Sequence, residues 1–418
     1  MGPTIIFDKS FLQSISVDES VFLQQFFITN VTPLFYVETL GDLDLGKHKS
    51  GKPITEIISA LAIKVPSTSV APNIHHRRLI MGNLIGMDVE MDGRIIREGG
   101  IEKVDPDGNV GIHYSESQEE MALNRWHKRE YFAVEKLFSK SWRNMLSNLT
   151  FDHILGIIKN LLPNNEKLSN YSQVKKFVDK FITKTKIELL LYLVIEFSGI
   201  NQNYYHKALQ RWRRESISDF EKFAPYAAYV LKIDLFFYIC MFLGLESKNR
   251  PSHKIDLAYL YYLPFCNVFV SSDKLHKRIV NFFLRKDQIF VDGPDFKRGL
   301  SKLNEYYLHY LDQINKEGFM RFAPQPPKDL DNTVSKIWDK IFPNWRGTKL
   351  DKIKERNPEE EKILLEKLKR IQKESIVVDR KTPMDDIHHI IETHKVLVQK
   401  GKWRILPEGI ENKKSQNK

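Results

Sequence analysis

Short apolar runs and helical patterns alternate at the beginning of the chain. Residues 4–7 predict a strand that ends at Asp8, and residues 18–28 place apolar side chains at helical spacing behind an acidic first turn. Residues 33–37 predict a second strand, which ends on Glu38. These elements predict the strand–helix–strand beginning of an α/β fold, with an acidic side chain after each strand.

The same alternation returns after residue 224. The predicted elements are helix 225–245, helix 256–263, strand 267–271, helix 274–285, strand 288–291 and helix 295–315. Asp256 opens the second of these helices, and Asp273 follows the strand that comes next. Residues 1–46 and 225–315 therefore have the pattern of one α/β domain that the chain divides into two halves.

The segment between the two halves has a different pattern. Its predicted elements are a helix at 51–62, a loop at 67–73, hairpin turns at Asp92-Gly93 and Asp107-Gly108, and helices from 118 to 222. We expect residues 47–224 to form a large, mostly helical insertion that serves as a substrate-binding module. A linker at 322–327, FAPQPP, precedes residues 328–418, which predict a charged helical C-terminal extension with a disordered tail.

The charge balance adds a candidate partner. Lysine and arginine together number 64, against 53 aspartate and glutamate residues, which gives a net charge of +11 and a pI of about 9.2. Such a balance favours a polyanion such as nucleic acid, although a basic surface that binds no polyanion has the same composition.

The sequence favours the cytoplasm and gives no reason to expect a membrane partner. The N-terminus has no cationic region followed by an apolar one, as a signal peptide would. The apolar run 187–195 is too short to span a bilayer, and the run 226–245 carries Lys232 and Asp234, which predicts a core helix. Both cysteines stand in apolar runs, which is typical of buried thiols in a reducing compartment.

Four acidic side chains are the main candidates for chemistry. In a parallel α/β sheet, loops at the carboxyl ends of the strands form the ligand crevice. Asp8, Glu38 and Asp273 each follow a predicted strand, and Asp256 opens the helix that leads into the last of these strands. We expect the four carboxylates to converge on one edge of the sheet, because convergent oxygen ligands are what Mg²⁺ or Mn²⁺ requires. The alternative for each acid is a helix cap or a surface charge, and it is strongest for Asp256.

In the order and surroundings of these acids, the chain resembles the PIN-domain nucleases. The four elements are Asp8 in IIFDKSFL, Glu38 in FYVETLGDL, Asp256 in KIDLAYLYYL and Asp273 in VFVSSDKLH. That family has an acid after the first strand, a Glu-x-x-x-(Asp/Leu)-Leu element, an Asp that opens a late helix, and a hydroxyl-x-Asp after the next strand. The resemblance covers residues 3–46 and 225–312, with a long insertion after Glu38 that the family's compact domain lacks.

The resemblance implies an α/β fold with a three-layer α/β/α PIN-like domain around a parallel sheet. It also implies metal-dependent cleavage of phosphodiester bonds, usually in RNA. Asp8 and Asp273 would be the central ligands of Mg²⁺ or Mn²⁺, and Glu38 and Asp256 would complete the shell directly or through water.

Other polar residues would surround these ligands. Ser271 would orient a ligand, and Asp42 and His276 would lie just outside the metal shell. A first-turn helix acid is the alternative for Asp42, and an exposed helix position is favoured for His276. Asp234, in an apolar run, would join the shell, pair with Lys232 or lie at a turn that faces a groove.

Three basic stretches of the insertion interleave cations with aromatic residues, a pattern that holds single-stranded nucleic acids. The candidate contacts are Arg77 and Arg78 in HHRR, Arg125 and Arg129 in RWHKREYF, and Arg211, Arg213 and Arg214 in RWRR. Exposed arginines on helix faces whose tryptophans pack in the core are the favoured alternative. His388, His389, Glu392 and His394 lack a zinc-binding signature and predict an ordinary charged surface.

Together these observations predict a metal-dependent nuclease, with RNA expected as the substrate ahead of DNA. The alternatives are a structure-specific DNA nuclease and a non-catalytic scaffold that binds nucleic acid or protein on a PIN fold. Neither a Walker-type phosphate loop nor a GxSxG motif occurs, which argues against nucleoside-triphosphatase and serine-hydrolase chemistry. Action as a homo-oligomer or with a regulatory protein partner stays open.

Overall fold

The structure is a computed structural model of the 418-residue chain. It describes residues 2–43, 53–65, 71–72, 74–96, 101–104, 110–113, 118–131, 135, 137, 141, 151–162, 168–247, 253–347 and 398–409. Most of the expected C-terminal extension, including the group around His388 and the polar tail, lies outside these residues.

The strands form one parallel sheet and two small hairpins. They are β1 (Thr4–Phe7), β2 (Ile28–Val31), β3 (Ala71–Pro72), β4 (Ile101–Val104), β5 (Val110–His113), β6 (Val268–Ser271), β7 (Ile289–Asp292), β8 (Gln399–Lys400) and β9 (Trp403–Arg404). In the described part of the chain, five strands pair in parallel in the order β3-β2-β1-β6-β7. Strands β4 and β5 pair antiparallel on either side of the turn expected at Asp107-Gly108, which itself lies outside the described residues, and β8 pairs antiparallel with β9.

Helices make up most of the remaining described residues. They are α1 (Lys9–Ser14), α2 (Val17–Phe26), α3 (Pro33–Leu43), α4 (Ile54–Ala62), α5 (His76–Leu84), α6 (Gln118–His127), α7 (Asp152–Leu161), α8 (Tyr171–Lys184), α9 (Ile187–Ser198), α10 (Asn203–Glu215), α11 (Phe220–Phe223), α12 (Pro225–Phe242), α13 (His253–Tyr259), α14 (Lys274–Ile279), α15 (Gly293–Leu308), α16 (Leu311–Glu317), α17 (Phe319–Phe322) and α18 (Thr333–Ile341). Short 3₁₀ helices, Leu260–Phe265 and Val280–Phe282, follow α13 and α14. The chain is therefore a mixed, mostly helical α/β protein.

The parallel sheet is buried on both faces. Ile6 and Phe269 belong to one hydrophobic cluster, whereas their neighbours Ile5, Phe7 and Val270 belong to another. Because side chains alternate between the faces of a strand, each cluster covers one face of the sheet. Helices α1, α2 and α15 contribute to the second cluster, so helices on both faces of the sheet are compatible with an α/β/α layout.

Helix α12 is the centre of the first cluster. It packs against α5, α7, α8, α9 and α11, so helices from the middle of the chain cover the same face of the sheet as Ile6. Within the described ranges, α12 is the one helix that is long and apolar enough to cross a membrane, and 78% of it is buried inside the protein. Its continuous apolar pattern is that of a helix with protein on all sides.

Three sequence-based predictions of secondary structure were wrong. Residues 33–37 were expected as a strand but belong to α3, and the strand is the β-branched segment Ile28–Val31 just before it. Pro33 stands at the first position of α3, where a proline costs no helical hydrogen bond. The expected loop at 67–73 contains β3, and Asp92-Gly93 is a turn without strands in the described residues around it, with Gly93 at a φ of +95°.

Candidate metal centre

Asp8 lies at the carboxyl end of β1, where the chain turns into α1. Its backbone is extended, and its Oδ1 accepts a hydrogen bond of 2.8 Å from the amide of Phe11, which caps the helix. Its own amide donates to the carbonyl oxygen of Val270 in β6, at 3.2 Å. The carboxylate is buried, and Oδ2 accepts a 2.5 Å hydrogen bond from Ser271 Oγ. Asp8 is therefore fixed between two adjacent strands.

Asp273 has the equivalent place after β6. Its Oδ1 accepts hydrogen bonds from the amides of Leu275, at 2.6 Å, and His276, at 3.3 Å, so it caps α14. Its backbone amide donates to Ser271 Oγ at 3.0 Å. Asp8 and Asp273 are thus held by the amides of two different helices and share one serine hydroxyl.

Ser271 and His276 form the buried connection behind the two acids. Both residues are buried, with exposed fractions of 0% and 1%, so the expectation of an exposed position for His276 was wrong. His276 Nδ1 lies 2.6 Å from Ser271 Oγ, and Nε2 lies 2.6 Å from the carbonyl oxygen of Asp256. Because that carbonyl can only accept, Nε2 carries a hydrogen. The imidazole therefore ties α13 to the end of β6.

The Ser271 hydroxyl connects Asp8, Asp273 and His276. Its Oγ is in hydrogen-bond contact with Asp8 Oδ2 and with His276 Nδ1, and it accepts a hydrogen bond from the amide of Asp273. Because the hydroxyl has one hydrogen, it can donate to only one of the first two atoms at a time.

Asp256, in the first turn of α13, shows that the acids converge. Burial, together with the charges of Asp273, Glu38 and Asp8, raises the pKa of its carboxyl group to about 8. Carboxylates interact in this way only when they are near one another, so residues from four separate places on the chain meet at one edge of the sheet.

Glu38 reaches this edge from the second turn of α3, although the strand that was expected to end on it does not exist. Its Oε2 accepts a 2.8 Å hydrogen bond from the hydroxyl of Tyr259, and its carbonyl oxygen accepts one of 3.3 Å from Lys9 Nζ. Burial and the negative charge of Glu38 raise the pKa of Tyr259 well above its ordinary value, so the phenol stays a donor. Sequence reasoning missed both donors. Lys9 adjoins Asp8 in the chain, whereas Tyr259 looks like any other core aromatic residue.

Asp292 is a further acid that the sequence reasoning missed. It ends β7, pairs in register with Ser271, and forms a 2.6 Å ion pair with Lys277. The sequence did contain a signal for Asp292, because this acid directly follows the predicted strand at 288–291. Asp42 lies in α3, and its side chain is outside the part of the chain that is described.

Asp234 is separate from this group. It is fully buried in α12, where its Oδ1 accepts hydrogen bonds from Lys254 Nζ, at 2.7 Å, and from the hydroxyl of Tyr261. Burial raises the pKa of Asp234, and the charge of Lys254 opposes the rise. The expected pairing with Lys232 was wrong, because Lys232 binds Glu221 at 2.5 Å.

The donor set suits a hard divalent cation. Its ligand atoms are carboxylate oxygens, and the repulsion that raises the pKa of Asp256 is what a bound cation would relieve. Among the described residues, no three His, Cys, Asp or Glu side chains are close enough to enclose an ion by themselves. Mg²⁺ commonly binds through one or two carboxylates and keeps several waters, so a wider group of acids fits it.

The candidate nucleic-acid contacts divide into two groups. Arg125 is half-buried and forms a 2.7 Å ion pair with Glu135. Arg211 donates from Nη1 to the carbonyl oxygens of Asn83 and Leu84 at the end of α5, at 2.8 and 3.3 Å. These two guanidinium groups have structural contacts. The exposed candidates are Arg77, Arg78, Arg129, Arg213 and Arg214.

The centre thus combines acids from the ends of β1 and β6 with acids from α3 and α13, and a serine and a histidine connect them. Each acid except Asp256 accepts a hydrogen bond from a described backbone amide or side chain through its carboxylate. Compared with protein-family models, with curated proteins and with solved structures, the chain shows no match.

Proposed function

We propose that the protein is a metal-dependent nuclease whose active centre is formed by Asp8, Glu38, Asp256 and Asp273 with Mg²⁺ or Mn²⁺. The observation that carries the proposal is the contact of Ser271 Oγ with Asp8 Oδ2 and with the amide of Asp273 at the carboxyl edge of a parallel sheet, and the raised pKa of Asp256 supports it. The PIN-like order of these acids along the chain supports phosphodiesters as the substrate class.

Each part of the centre has a distinct task. When bound, a divalent cation would neutralise charge on the phosphodiester and lower the pKa of a coordinated water. Asp8 and Asp273 would hold it, since the amides of α1 and α14 fix their positions. Tyr259 orients Glu38, and Asp256 would bind the cation in its carboxylate form.

The substrate we propose is RNA ahead of DNA, in keeping with the PIN-like order of acids. The net charge of +11 and the exposed arginines on α5 and α10 supply attraction for a polyanion. The acids themselves repel phosphate, so substrate binding and catalysis belong to different residues. Loss of a metal ligand should therefore leave binding nearly intact.

The proposal is tested with labelled RNA and DNA in Mn²⁺, in Mg²⁺ and in EDTA. Wild type should cleave only with metal, and Asp8→Asn or Asp273→Asn should lose about a hundredfold or more in rate, since even residues behind a metal ligand are worth about 10–100-fold. Asp312→Asn is the matched control, because this exposed acid stands in the first turn of α16. Cleavage that persists in EDTA, or in both variants, would overturn the assignment. If only branched DNA is cleaved, DNA replaces RNA as the proposed substrate. If nucleic acid is bound but not cleaved, the protein is a non-catalytic scaffold.

A further inference from the structure

Helices α5 and α10 form a fixed pair beside the sheet. At the end of α5, the carbonyl oxygens of Asn83 and Leu84 accept hydrogen bonds from Arg211 of α10. At the start of α5, Arg77 Nη2 lies 3.4 Å from the place that a Cβ on Gly199, just before α10, would occupy. The two helices therefore lie side by side and run in the same direction.

Exposed cations project from both helices. They are Arg77 and Arg78 on α5 and Lys207 and Arg214 on α10, and we call them the α5–α10 basic surface. Lys207 and Arg214 stand two helical turns apart, so they project from the same side of α10, which is also the side from which Arg211 reaches α5. Glu215 binds Arg211 at 2.9 Å and lies 3.6 Å from Arg214, whose side chain is 76% exposed.

Aromatic rings lie among these cations. Tyr204 and Tyr205 are half-buried at the start of α10, and Lys207 Nζ lies 5.4 Å from the ring centre of Tyr204. The exposed ring of His206 lies 5.5 Å from that of Tyr205. Next to Arg77, burial and the neighbouring arginines lower the pKa of His75 to about 4, so its ring is uncharged at neutral pH. Helices α5 and α10 thus carry guanidinium groups that can bind phosphates and aromatic rings that can stack on bases.

The basic surface begins close to the acidic centre. Helix α5 starts four residues after β3, at the same carboxyl edge of the parallel sheet that carries the acids. The ring of His76 lies 5.0 Å from that of Tyr261, whose hydroxyl accepts a 3.0 Å hydrogen bond from Lys254 Nζ. Lys254 stands two residues before Asp256 in α13. A short run of contacts therefore connects the first turn of α5 to the centre.

We infer that the α5–α10 basic surface binds the backbone of a single-stranded nucleic acid and leads it to the acidic centre. This inference rests on the proposed function and adds the form of the substrate. A cluster of carboxylates repels phosphates, so the affinity has to come from cations elsewhere on the protein. The rings favour a single strand, because its bases have free faces to stack, whereas those of a duplex are stacked on one another.

Binding is measured in EDTA, where cleavage does not interfere, with fluorescent oligo(U), oligo(dT) and a duplex, each of about 20 nucleotides. Replacing Lys207 and Arg214 together with Ala should weaken single-strand binding about tenfold. It should also reduce the slope of log affinity against log salt by about 1.4, since each phosphate contact on a single strand contributes about 0.7. Lys302→Ala with Lys340→Ala removes the same charge from exposed positions on α15 and α18 and should change neither quantity.

A second variant at the other end of the surface, Arg77→Gln with Arg78→Gln, should have the same effect as the first. The inference fails if both double variants keep the affinity and salt slope of wild type, if the lysine control loses as much, or if the duplex binds as tightly as the single strands. Preference for oligo(U) over oligo(dT) distinguishes RNA from DNA on this surface.

The outcomes also separate this inference from the proposed function. A protein that binds single strands through this surface but never cleaves them with Mn²⁺ would overturn the nuclease assignment and leave the surface in place. A protein that cleaves with Mn²⁺, and whose binding does not depend on the surface, would overturn the inference alone.

Discussion

Replacing Asp256 with Asn should stabilise the metal-free protein and remove part of its pH dependence. The carboxyl group has a pKa of 3.8 in its ordinary environment and of about 8 in the folded protein, where burial and the charges of Asp273, Glu38 and Asp8 act on it. Below the lower value, the folded and unfolded chains both carry the proton. Between the two values, the unfolded chain loses the proton and the folded chain retains it, so the free energy of unfolding falls as the pH rises.

The size of the effect follows from the shift. The loss is about 1.4 kcal/mol per pH unit, so about 4 kcal/mol has been lost by pH 7, and the loss ends above the folded pKa of about 8. The Asn side chain resembles the protonated carboxyl group and does not ionise. Urea denaturation in EDTA, from about pH 5 to about pH 9, should therefore show a variant whose advantage over wild type grows with pH and levels off above about pH 8.

Added Mn²⁺ should narrow the difference in stability between the two proteins. An ion that binds only the folded state at a hundredfold excess over its Kd stabilises by about 2.7 kcal/mol, and wild type should receive more of this gain than the variant, which lacks one ligand charge. Asp312→Asn, another first-turn acid, should follow wild type throughout. Parallel pH profiles for wild type and Asp256→Asn in EDTA, or equal responses to Mn²⁺, would refute the reasoning and leave Asp256 as an ordinary helix acid.

Three further variants test the contacts around the centre and the insertion. Tyr259→Phe removes the donor to Glu38 and should slow cleavage about tenfold with unchanged oligonucleotide binding, which parallel rate and binding assays would show. Arg211→Ala should cost about 2–3 kcal/mol in urea denaturation, because it removes two charge-assisted hydrogen bonds, but it should leave the salt slope of binding unchanged. Lys254→Met leaves Asp234 buried without its ion-pair partner and should cost about 3–5 kcal/mol, most of which Asp234→Asn in the same chain should restore.

Several members of the centre could be predicted because their signal is local. Asp8 and Asp273 each follow a short apolar run, and that pattern is enough to place an acid at the end of a strand. Glu38 was placed at the right edge for the wrong reason. LFYVE has the aromatic and β-branched residues of a strand, but Pro33 at the first helical position and the packing of α3 decide in favour of a helix.

The remaining members could not be predicted because their partners are distant in sequence. The sequence around His276 does not show whether its side chain is exposed or buried. Only in the folded chain do Ser271 and the carbonyl oxygen of Asp256 lie next to its ring. Arg211 is similar, since its role depends on carbonyl oxygens 128 and 127 residues away. Sequence patterns identify the helices and strands, whereas the roles of His276 and Arg211 follow only from contacts between those elements.

The position of β1 in the sheet has a consequence for synthesis on the ribosome. It lies between β2, which follows it closely in the chain, and β6, and the hydrogen bond from Ser271 to Asp8 joins residues 263 positions apart. At about 5–20 residues per second, the later half of that pair emerges roughly 10–50 s after the earlier one. Until then the nascent chain lacks half of its acidic centre, so helices α4 to α10 are synthesised before the centre can assemble, and the long sequence separation of Asp8 and Ser271 makes this last step slow.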